Sequence, residues 1–490
     1  MIYKEFGKTG IKVSALGFGG LRFLEKDYST AEGMDRCAQI IKKAVDYGIN
    51  YFDTAHDYCG NKGEIIFGHA FKQIERNHYY ISVKSNISYD PTDDDVMRRV
   101  ENSLKNLCVD YIDFFSMWCI MDLAQYRRVM TAGGPYEGAL RAKDRGLIRH
   151  ICFSAHCSGD EIETIINDGA YVGVTLGYNA LNFRYREKGL HAAYAQGLGV
   201  VTMNSLAGGM IPRNPDYFSY LCTEPGQSVV DAALRFNIAH KEIAVALSGM
   251  STEDEVIENV KCFDRPLNVS ERRHIEHLKR KDISLLNRLC TGCNYCAGCP
   301  AGLEVHKLMM SYNQYLLSGN SLNELLESLK KDWEMPLSEK QCLECGTCEE
   351  KCTQHLPIME RIAHINSLLS DACASLKDEY DRCFGKERTQ KTGLYAVGAQ
   401  AKAILNNYIS IYESIDFPLF LFDGDKKKWG TDPLIPDVHI RPPEEIITTG
   451  VKRIVICSDL YYGQIYNSLK HLEEHGVKFF KFNGSKLRGE

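Results

Sequence analysis

Short apolar runs alternate with amphipathic stretches over residues 1–275 of the chain. Each apolar run of four or five residues is typical of a buried strand, and the stretch after it repeats apolar residues at helical spacing. Most successive runs begin about 22 to 37 residues apart, the length of a strand–helix unit. Eight such units predict an α/β fold, a (β/α)8 TIM barrel whose chemistry lies at the carboxyl ends of the strands. The predicted strands are Ser14–Phe18, Asn50–Asp53, Tyr80–Val83, Asp113–Met117, His150–Phe153, Val172–Thr175, Val200–Met203 and Ala244–Ser248.

Two further domains with different patterns follow the barrel. Residues 276–376 favour helices, such as Glu271–Lys281 at the boundary and Ser321–Lys331, around two cysteine-rich runs. The polar stretch 377–392 is typical of a linker. Strands and helices alternate again over residues 393–490, which predicts a small Rossmann-like α/β domain. Only Gly398 remains of a glycine-rich turn there, so a structural or docking role is favoured over a second dinucleotide site.

Eight cysteines in two runs of four carry the clearest chemical signal. Their spacing is that of two-cluster ferredoxins, in which three close thiolates bind one 4Fe-4S cluster and the fourth binds the other. The middle region is therefore predicted to be a helical, ferredoxin-like domain with two 4Fe-4S clusters. We assign Cys290, Cys293, Cys296 and Cys352 to one cluster, and Cys342, Cys345, Cys348 and Cys299 to the other.

Zinc sites and disulfides are the alternatives for these cysteines. Zinc needs four ligands, commonly two Cys-x-x-Cys pairs, and leaves the regularly repeated third and fourth cysteines unexplained. Disulfides suit small secreted domains, and this chain is neither small nor led by a signal peptide. Two details depart from the usual pattern: Cys299 follows its neighbour after two residues instead of three, and Thr353 stands where a proline commonly follows Cys352. Neither detail removes a ligand.

Composition narrows the class of protein. With 44% hydrophobic and 25% charged residues, the 490-residue chain reads as a globular protein of several domains. A net charge of −6 gives no electrostatic reason to expect nucleic acid or an anionic membrane surface. No apolar run has membrane-spanning length. Nineteen cysteines without a secretion signal predict reduced thiols, metal binding and a cytoplasmic location.

Three residues at predicted strand ends form a candidate proton-transfer site. Asp53 ends the second strand, Tyr58 follows five residues later, and Lys84 directly follows the third predicted strand. Tyrosine is a weak acid with a reference pKa of about 10, and a nearby lysine cation favours the phenolate and lowers that pKa. An aspartate can keep the lysine charged and in place. The trio therefore predicts that Tyr58 donates a proton to a carbonyl oxygen during hydride transfer.

Several segments in register resemble the aldo/keto reductase family, and the resemblance continues through the cysteine runs into the iron–sulfur branch of that family. It covers the whole barrel and implies that a nicotinamide dinucleotide lies across the strand ends. Asp53, Tyr58 and Lys84 fall on the family's catalytic positions. The matching segments are Phe6–Gly20, Asn50–Tyr58, Ile81–Lys84, Asp110–Asp113, Gly146–Ser154 and Ser248–Thr252, with Glu258 and Asn259.

The resemblance also shows an altered pocket. The family's catalytic histidine, which steers the substrate carbonyl, is replaced by Trp118, and an indole N–H can only donate. The glutamine that usually helps to hold the nicotinamide carboxamide is replaced by Thr175, while Ser154 keeps the second anchor. Met203 falls where a side chain packs on the nicotinamide ring. The other positions that the resemblance assigns to the cofactor are Gly19, Gly20, Ser248, Gly249, Glu255 and Asn259.

The same register favours NAD(H) over NADP(H). Gly249 and Glu255 stand where the family commonly has a lysine and an arginine that pair with the adenosine 2′-phosphate. A carboxylate repels that phosphate and can instead accept a hydrogen bond from the ribose hydroxyl.

The sequence thus predicts an iron–sulfur oxidoreductase that acts on a carbonyl or hydroxyl carbon of a small molecule. A sugar is one candidate, because Asp423–Gly430 resembles a segment of accessory domains in proteins that handle sugar nucleotides and glycans.

A nicotinamide moves a hydride and a cluster moves single electrons, so direct coupling requires a converter such as a flavin, for which no motif is present. A ferredoxin is the expected kind of electron-transfer partner. The alternative is a non-catalytic electron-transfer or redox-sensing protein with a degenerate barrel.

Other residues near the predicted pocket have simpler interpretations. Buried, inert thiols are favoured for Cys59, Cys119, Cys152 and Cys157. Hydrogen-bonded or solvated side chains are favoured over ligands for His56 and His156.

Overall fold

The structure is a computed structural model that describes residues 1–280, 289–332, 341–412, 414–415, 417–430 and 438–482. Contacts along the chain divide it into two compact units. The first comprises Met1–Tyr295 together with a returning segment, Glu350–Leu356, and the second comprises Cys296–Glu349 and Pro357–Glu490. The first unit therefore contains the predicted barrel and part of the predicted iron–sulfur region.

Eight parallel strands of the first unit close into a barrel, in the order β10-β3-β4-β5-β6-β7-β8-β9. Each of the eight predicted strands overlaps one of them, so the predicted (β/α)8 fold is confirmed. A two-stranded antiparallel hairpin, β1 and β2, precedes the barrel. The strands of this unit are β1 (Tyr3–Glu5), β2 (Lys12–Ser14), β3 (Leu16–Gly19), β4 (Tyr51–Asp53), β5 (Tyr80–Ser85), β6 (Ile112–Ile120), β7 (Ile148–Ala155), β8 (Gly173–Gly177), β9 (Gly199–Met203) and β10 (Val245–Gly249).

Two features of the sequence favour these strands and helices: strands with apolar residues on both faces, and capping residues at the helix N-termini. Every residue of β6 is buried, as expected for a parallel strand that has side chains inside the barrel and helices outside. Reciprocal capping boxes begin the helices after Thr92 and Ser158, where the capping hydroxyl accepts a backbone N–H and the acidic residue three positions on bonds back. Phe6, just after β1, packs its ring against Phe114 inside the barrel.

Helices alternate with the barrel strands and fill the loops between them. Most carry an apolar face toward the barrel. The helices of the first unit are α1 (Glu25–Tyr28), α2 (Ala31–Asp46), α3 (Tyr58–Asn61), α4 (Gly63–Phe71), α5 (Asp93–Leu107), α6 (Leu123–Val129), α7 (Pro135–Asp144), α8 (Gly159–Asn167), α9 (Phe183–Gln196), α10 (Met210–Arg213), α11 (Pro215–Phe218), α12 (Val229–Ile238), α13 (Glu253–Lys261) and α14 (Val269–Arg280), with 3-10 turns at Arg76–His78, Ala207–Gly209 and Ser219–Leu221.

The second unit combines helices with a five-stranded parallel sheet in the order β13-β12-β11-β14-β15. Numbered along the chain, this is the order 3-2-1-4-5, which the doubly wound dinucleotide-binding folds share. The strands are β11 (Thr392–Tyr395), β12 (Leu419–Phe422), β13 (Ile440–Arg441), β14 (Arg453–Ile456) and β15 (Lys478–Lys481). The helices are α15 (Val305–Leu317), α16 (Leu322–Asp332), α17 (Thr347–Glu350), α18 (Ile358–Phe384), α19 (Ala399–Tyr412), α20 (Ile446–Thr449) and α21 (Tyr462–Leu469), with 3-10 turns at Lys426–Lys428, Pro443–Glu445 and Lys470–His475.

The segment 377–392 is not the free linker that its polar composition predicts. Its first half is the end of α18, and its last residue, Thr392, begins β11. Tyr380, Cys383 and Phe384 are completely buried in the core beneath the sheet, which explains why the helix continues. The helices predicted at Glu271–Lys281 and Ser321–Lys331 are present as α14 and α16, although Lys281 itself lies outside the described residues.

None of the helices described in the structure is both long and apolar enough to cross a bilayer.

Candidate active site and cluster-ligand loops

Asp53, Tyr58 and Lys84 meet at the carboxyl end of the barrel. The Lys84 ammonium donates to Asp53 Oδ1 at 2.5 Å, and both side chains are buried. The Ser82 hydroxyl donates to the second carboxylate oxygen at 3.0 Å, which fixes the aspartate. The Lys84 nitrogen also lies 5.0 Å from the centre of the Tyr58 ring. The structure thus brings the three predicted residues together.

The pKa of Tyr58 is raised well above 10, mainly by burial and secondly by the carboxylate of Asp53. The net direction is opposite to the lowering that the sequence predicts from Lys84. Because Asp53 is bonded to the Lys84 ammonium, the cation and the carboxylate act on the phenol in opposite directions, and burial then decides the shift. Tyr58 therefore keeps its proton over the physiological range, as a proton donor must.

The backbone after Tyr58 is unusual. Cys59, Gly60 and Asn61 all have positive φ, at 53°, 59° and 65°. Only glycine adopts this region without strain, and such strain concentrates at functional sites. The turn separates Tyr58 from the regular helix α4 that begins at Gly63.

Trp118 stands at a bulge in β6. The register between β6 and β7 shifts between Met117 and Ile120, and Cys119 has a left-handed φ of 63°. The Ser154 hydroxyl accepts the Cys119 N–H at 3.3 Å and supports the bulge. Bulges re-aim side chains next to active sites, and here the indole lies edge-to-face with the Tyr58 ring at 5.8 Å. Trp118 is therefore a wall of the candidate site.

The first cluster-ligand segment packs on this wall. Tyr295, which lies between Cys293 and Cys296 in the sequence, contacts Trp118 edge-to-face with ring centres 6.1 Å apart. Its ring also meets His156, at the end of β7, at 6.0 Å. Tyr295 was not predicted as a site residue, because only tertiary packing brings it to the barrel.

The beginning of the same segment contacts the opposite side of the barrel mouth. The guanidinium of Arg22, which follows β3, approaches the Thr291 carbonyl at 3.5 Å. Gly208, after β9, has φ +68° and lies so close to that carbonyl oxygen that an added Cβ would collide with it. The segment from Thr291 to Tyr295 therefore crosses the carboxyl-terminal mouth of the barrel.

The loop after β9 has an unusual backbone. Asn204, Ala207, Gly208 and Gly209 all have positive φ, between 52° and 87°. Two of its N–H groups are bonded within the loop, Ala207 to the Asn204 carbonyl at 2.7 Å and Gly209 to the Leu206 carbonyl at 3.1 Å.

Two arginines, Arg22 and Arg213, lie beside this loop. Arg213 donates to the carbonyls of Gly208 and Gly209. The pKa of Arg22 is lowered mainly by burial and secondly by the nearby Arg213 guanidinium. The two arginines place positive charge at this side of the barrel mouth, and the sequence-based prediction did not include them.

The predicted cofactor residues lie at neighbouring strand ends. Gly19 pairs with Gly249 across β3 and β10, and Gly20 donates its N–H to the Asp53 carbonyl at 2.8 Å. The Ser248 hydroxyl accepts from Asn259 at 3.1 Å. Thr175 is buried in β8, and Met203 at the end of β9 packs against the barrel core.

Glu255 is already engaged within its own loop. Its carboxylate accepts the Ser251 N–H at 2.6 Å and the Ser251 hydroxyl at 3.0 Å. The side-chain stem of Arg22 lies against Gly249, where an added Cβ would meet it. At the two positions predicted to face the 2′-phosphate, the structure therefore has the Glu255 carboxylate and Gly249, and the Arg22 side chain packs against that glycine.

Several polar atoms around the barrel mouth have no partner among the described residues. They belong to loops after β4 and β7 and to the crossing segment. Burial lowers the pKa of His56 to about 4 and that of His156 to about 3, so both imidazoles are neutral. Buried polar atoms without partners are expected where a polar ligand or water binds. The atoms are Thr54 Oγ1, His56 Nδ1, Asp57 Oδ1, His156 Nε2 and Thr291 Oγ1.

The four cysteines near the predicted pocket are buried thiols. Burial raises the pKa of Cys59, Cys119 and Cys157 to about 12, and raises that of Cys152 further still. They remain protonated at neutral pH, so a nucleophilic role is not supported.

The two cysteine runs share one backbone pattern. The residue two positions after the first cysteine is left-handed in both, Gly292 at 62° and Glu344 at 52°. Its N–H donates to that cysteine's sulfur at 3.4 Å in both runs. The residue after the second cysteine is also left-handed, Asn294 at 63° and Gly346 at 76°. Backbone N–H groups directed at thiolate sulfurs are a means of tuning iron–sulfur clusters. The donor set and this geometry fit the clusters.

The second unit holds a pocket lined by cysteines of one predicted cluster. Cys299, Cys342, Cys345 and Cys348 all border it, together with Cys296 and apolar side chains such as Leu303 and Ile362. Among the residues that the structure describes, no group of three or more His, Cys, Asp or Glu side chains is arranged around a single metal ion.

Comparisons with known proteins match both parts of this description. The model of the aldo/keto reductase family matches residues 15–280, and the model of the 4Fe-4S dicluster domain matches residues 289–356. L-galactose dehydrogenase of Arabidopsis thaliana is 27% identical over 282 residues, which cover 52% of this chain and 86% of that protein. 6-dehydroglucose reductase of Novosphingobium aromaticivorans is 29% identical over 150 residues, 28% of this chain and 45% of that protein. An aldo-keto reductase structure from Bacillus halodurans, holo form, is 24% identical with a TM-score of 0.48, covering 57% of this chain and 96% of that one.

Proposed function

Because the chain belongs to the aldo/keto reductase family, we propose that its barrel interconverts a carbonyl and a hydroxyl group of a small molecule with a nicotinamide cofactor. The observation that carries this proposal is the buried Lys84–Asp53 ion pair beneath the Tyr58 ring. A buried ion pair costs desolvation, so its position next to an ionisable phenol favours a chemical role over a purely structural one.

Each residue of the trio has a distinct role in this proposal. Tyr58, protonated because burial raises its pKa, donates the proton to the carbonyl oxygen. Lys84 stabilises the negative charge that develops on Tyr58 after the transfer, and Asp53 holds the ammonium. The bound nicotinamide supplies the hydride.

The strand ends and the loop after β9 are proposed to hold the dinucleotide. Ser154 and Thr175 are proposed to anchor the carboxamide, and Met203 is proposed to pack on the nicotinamide ring. Arg22 and Arg213, beside the left-handed loop Asn204–Gly209, are proposed to bind the pyrophosphate through their positive charge.

A sugar-like substrate is supported by two features of the mouth. Unpartnered polar atoms, among them Thr54 Oγ1 and His156 Nε2, offer hydrogen bonds to hydroxyl groups. Aromatic faces of Trp118, Tyr58 and Tyr295 offer apolar surface for the ring. Two relatives are named for sugars, L-galactose and 6-dehydroglucose, and this is in line with the proposal.

NAD(H) is proposed as the preferred cofactor. The carboxylate of Glu255, held by Ser251, would repel a 2′-phosphate. The test is to compare dissociation constants for NADH and NADPH by fluorescence on anaerobically prepared protein. NADPH binding that is tenfold tighter, about 1.4 kcal/mol, would contradict the preference.

The function itself is tested by turnover with a panel of keto-sugars, aldoses and simple aldehydes, under anaerobic conditions with NADH or NADPH. The proposal expects a narrow range of carbonyl substrates, because Trp118 and Tyr295 crowd the mouth. Tyr58→Phe should abolish most of the turnover of any substrate found.

One observation favours a second candidate, an electron-transfer or redox-sensing protein. The cluster-ligand segment from Thr291 to Tyr295 lies across the barrel mouth. If neither nicotinamide binds while the protein exchanges electrons rapidly with a reduced ferredoxin, the sensor function replaces the reductase function. A ferredoxin-type partner is proposed in both cases, through the second cysteine run.

A further inference from the structure

Arg186, in the first half of α9, is the largest of the completely buried side chains described in the structure, with 1% of its surface exposed. Its guanidinium donates to three backbone carbonyls: His156 at 2.6 Å, Thr353 at 3.2 Å and Gly177 at 3.4 Å. The Nε atom has no partner among the described residues. Burial lowers the pKa of Arg186 to about 10, so the group still carries its charge at neutral pH.

No carboxylate forms an ion pair with Arg186 in the part of the chain that the structure describes. The contrast with Arg235, another deeply buried arginine, is direct, because both oxygens of Glu271 bond to that guanidinium. A buried charge without a counter-charge is costly, and proteins normally pair it or bring a charged ligand to it.

The position of Arg186 indicates which anion completes the pair. Thr353, whose carbonyl Arg186 holds, directly follows the predicted cluster ligand Cys352. The Thr353 hydroxyl lies 3.6 Å from the sulfur of a second ligand, Cys293. Thr353 thus connects the guanidinium to two predicted ligands of one cluster, to Cys352 along the chain and to Cys293 through its hydroxyl. A 4Fe-4S cluster with four thiolates is an anion.

We infer that Arg186 is the counter-charge of the cluster held by Cys290, Cys293, Cys296 and Cys352, and that it raises the reduction potential of this cluster. Reduction adds a negative charge, and a fixed cation close by stabilises the reduced form more than the oxidised form. Arg186 is a positioning residue as well, since the same guanidinium joins the Cys352 loop to the His156 carbonyl of the barrel.

The test uses the full-length, anaerobically prepared protein and three variants. Arg186→Gln removes the charge and keeps hydrogen-bonding capacity, whereas Arg186→Lys keeps the charge. Arg184→Gln makes the same change in net charge at an exposed position on the same helix. Iron per chain and both reduction potentials, from titrations followed by electron paramagnetic resonance, are the readouts.

The expected result is that one of the two potentials becomes more negative in Arg186→Gln, moves less in Arg186→Lys and does not move in Arg184→Gln. Full iron with both potentials unchanged in Arg186→Gln would overturn the inference. If Arg186→Gln loses one cluster, the inference stands only if Arg186→Lys retains it. Loss of the cluster in both variants would show that the exact shape of the guanidinium matters, rather than its charge, and would overturn the inference. Catalytic turnover plays no part in these readouts, so the outcome is independent of the proposed reductase function.

Discussion

The two cysteine runs have the same local backbone and different surroundings. In each run a left-handed residue, Gly292 or Glu344, directs its N–H to the first cysteine sulfur. In the first run Cys290 is only 8% exposed, whereas in the second run Cys345 is exposed and its neighbour Leu343 is 64% exposed. The same local backbone therefore occurs in a more buried and in a more exposed setting.

The different surroundings of the two runs indicate different roles for the two predicted clusters. Exposure and hydrogen bonding control the potential and accessibility of a cluster. The first run, packed on the barrel mouth and linked to Arg186, is placed to influence the barrel site. The exposed Leu343 and Cys345 of the second run are in line with the proposed exchange of electrons with a partner protein. The following predictions test this contrast, beginning with the largest expected effect.

Removing one ligand of each predicted cluster should have unequal consequences, although both ligands, Cys352 and Cys345, belong to the second run. Cys352→Ser should remove the cluster assigned to the first run, about four irons per chain, and should lower the melting temperature of the barrel, because the buried Cys352 loop packs on it. Cys345→Ser should remove the other cluster and leave barrel unfolding unchanged. Iron analysis and circular dichroism melts provide the readouts. Equal effects on barrel melting would contradict the contrast, and loss of the second-run cluster in Cys352→Ser would refute the crossed ligation.

Tyr58→Phe should lower carbonyl turnover by about 10² to 10⁴-fold, the usual contribution of general acid–base catalysis, while both clusters remain. Tyr194→Phe, at a 45% exposed tyrosine on α9, is the matched control. Because burial raises the pKa of Tyr58 well above 10, the wild-type reduction rate should not fall with loss of this proton as the pH rises to 10. An unchanged rate in Tyr58→Phe would favour the sensor function.

Tyr295→Ala should open the mouth, and its counterpart in the second run offers a control. Tyr295 and Thr347 occupy the same position in their runs, directly before the third cysteine. If the ring blocks bulky carbonyls, its removal should lower their KM by up to about tenfold, which corresponds to about 1.4 kcal/mol of binding free energy. Thr347→Ala should leave KM unaltered. The same KM in both variants would mean that Tyr295 does not restrict access.

Leu343→Glu should give the smallest effect. Thr291 is the equivalent residue in the first run, where it is buried. A charge at an exposed interface residue mainly changes the association rate, so electron exchange with a reduced ferredoxin should change about two- to tenfold while both potentials stay the same. Stopped-flow absorbance measures this rate. No change in rate would place the partner elsewhere.

The barrel was predictable because its signals are local. Each strand and helix pattern lies within about thirty residues, and all eight strands are found where the pattern places them. The predicted meeting of Asp53, Tyr58 and Lys84 follows from the same rule, since strand ends of a parallel barrel converge.

The rest depends on tertiary packing, which the sequence does not display. The bulge at Trp118 and Cys119 leaves no local motif, and Tyr295 is revealed only by its contact with that tryptophan. Arg186 looks like an ordinary polar residue of an amphipathic helix. The direction of the Tyr58 pKa shift was wrong for the same reason, because it is set by burial. The segment after residue 377 is predicted as a linker from its polar composition, but the burial of three side chains, among them Tyr380, continues helix α18 into it.

The returning segment Glu350–Leu356 gives this protein an order of assembly on the ribosome. All eight barrel strands have been synthesised by residue 249, but the Thr353 carbonyl that accepts from Arg186 is made about a hundred residues later. A nascent chain that ends between these points has all eight barrel strands but lacks one of the three carbonyls that accept from Arg186. Because Cys352 is also made after the barrel strands, the cluster assigned to it can be completed only once all of those strands have been synthesised.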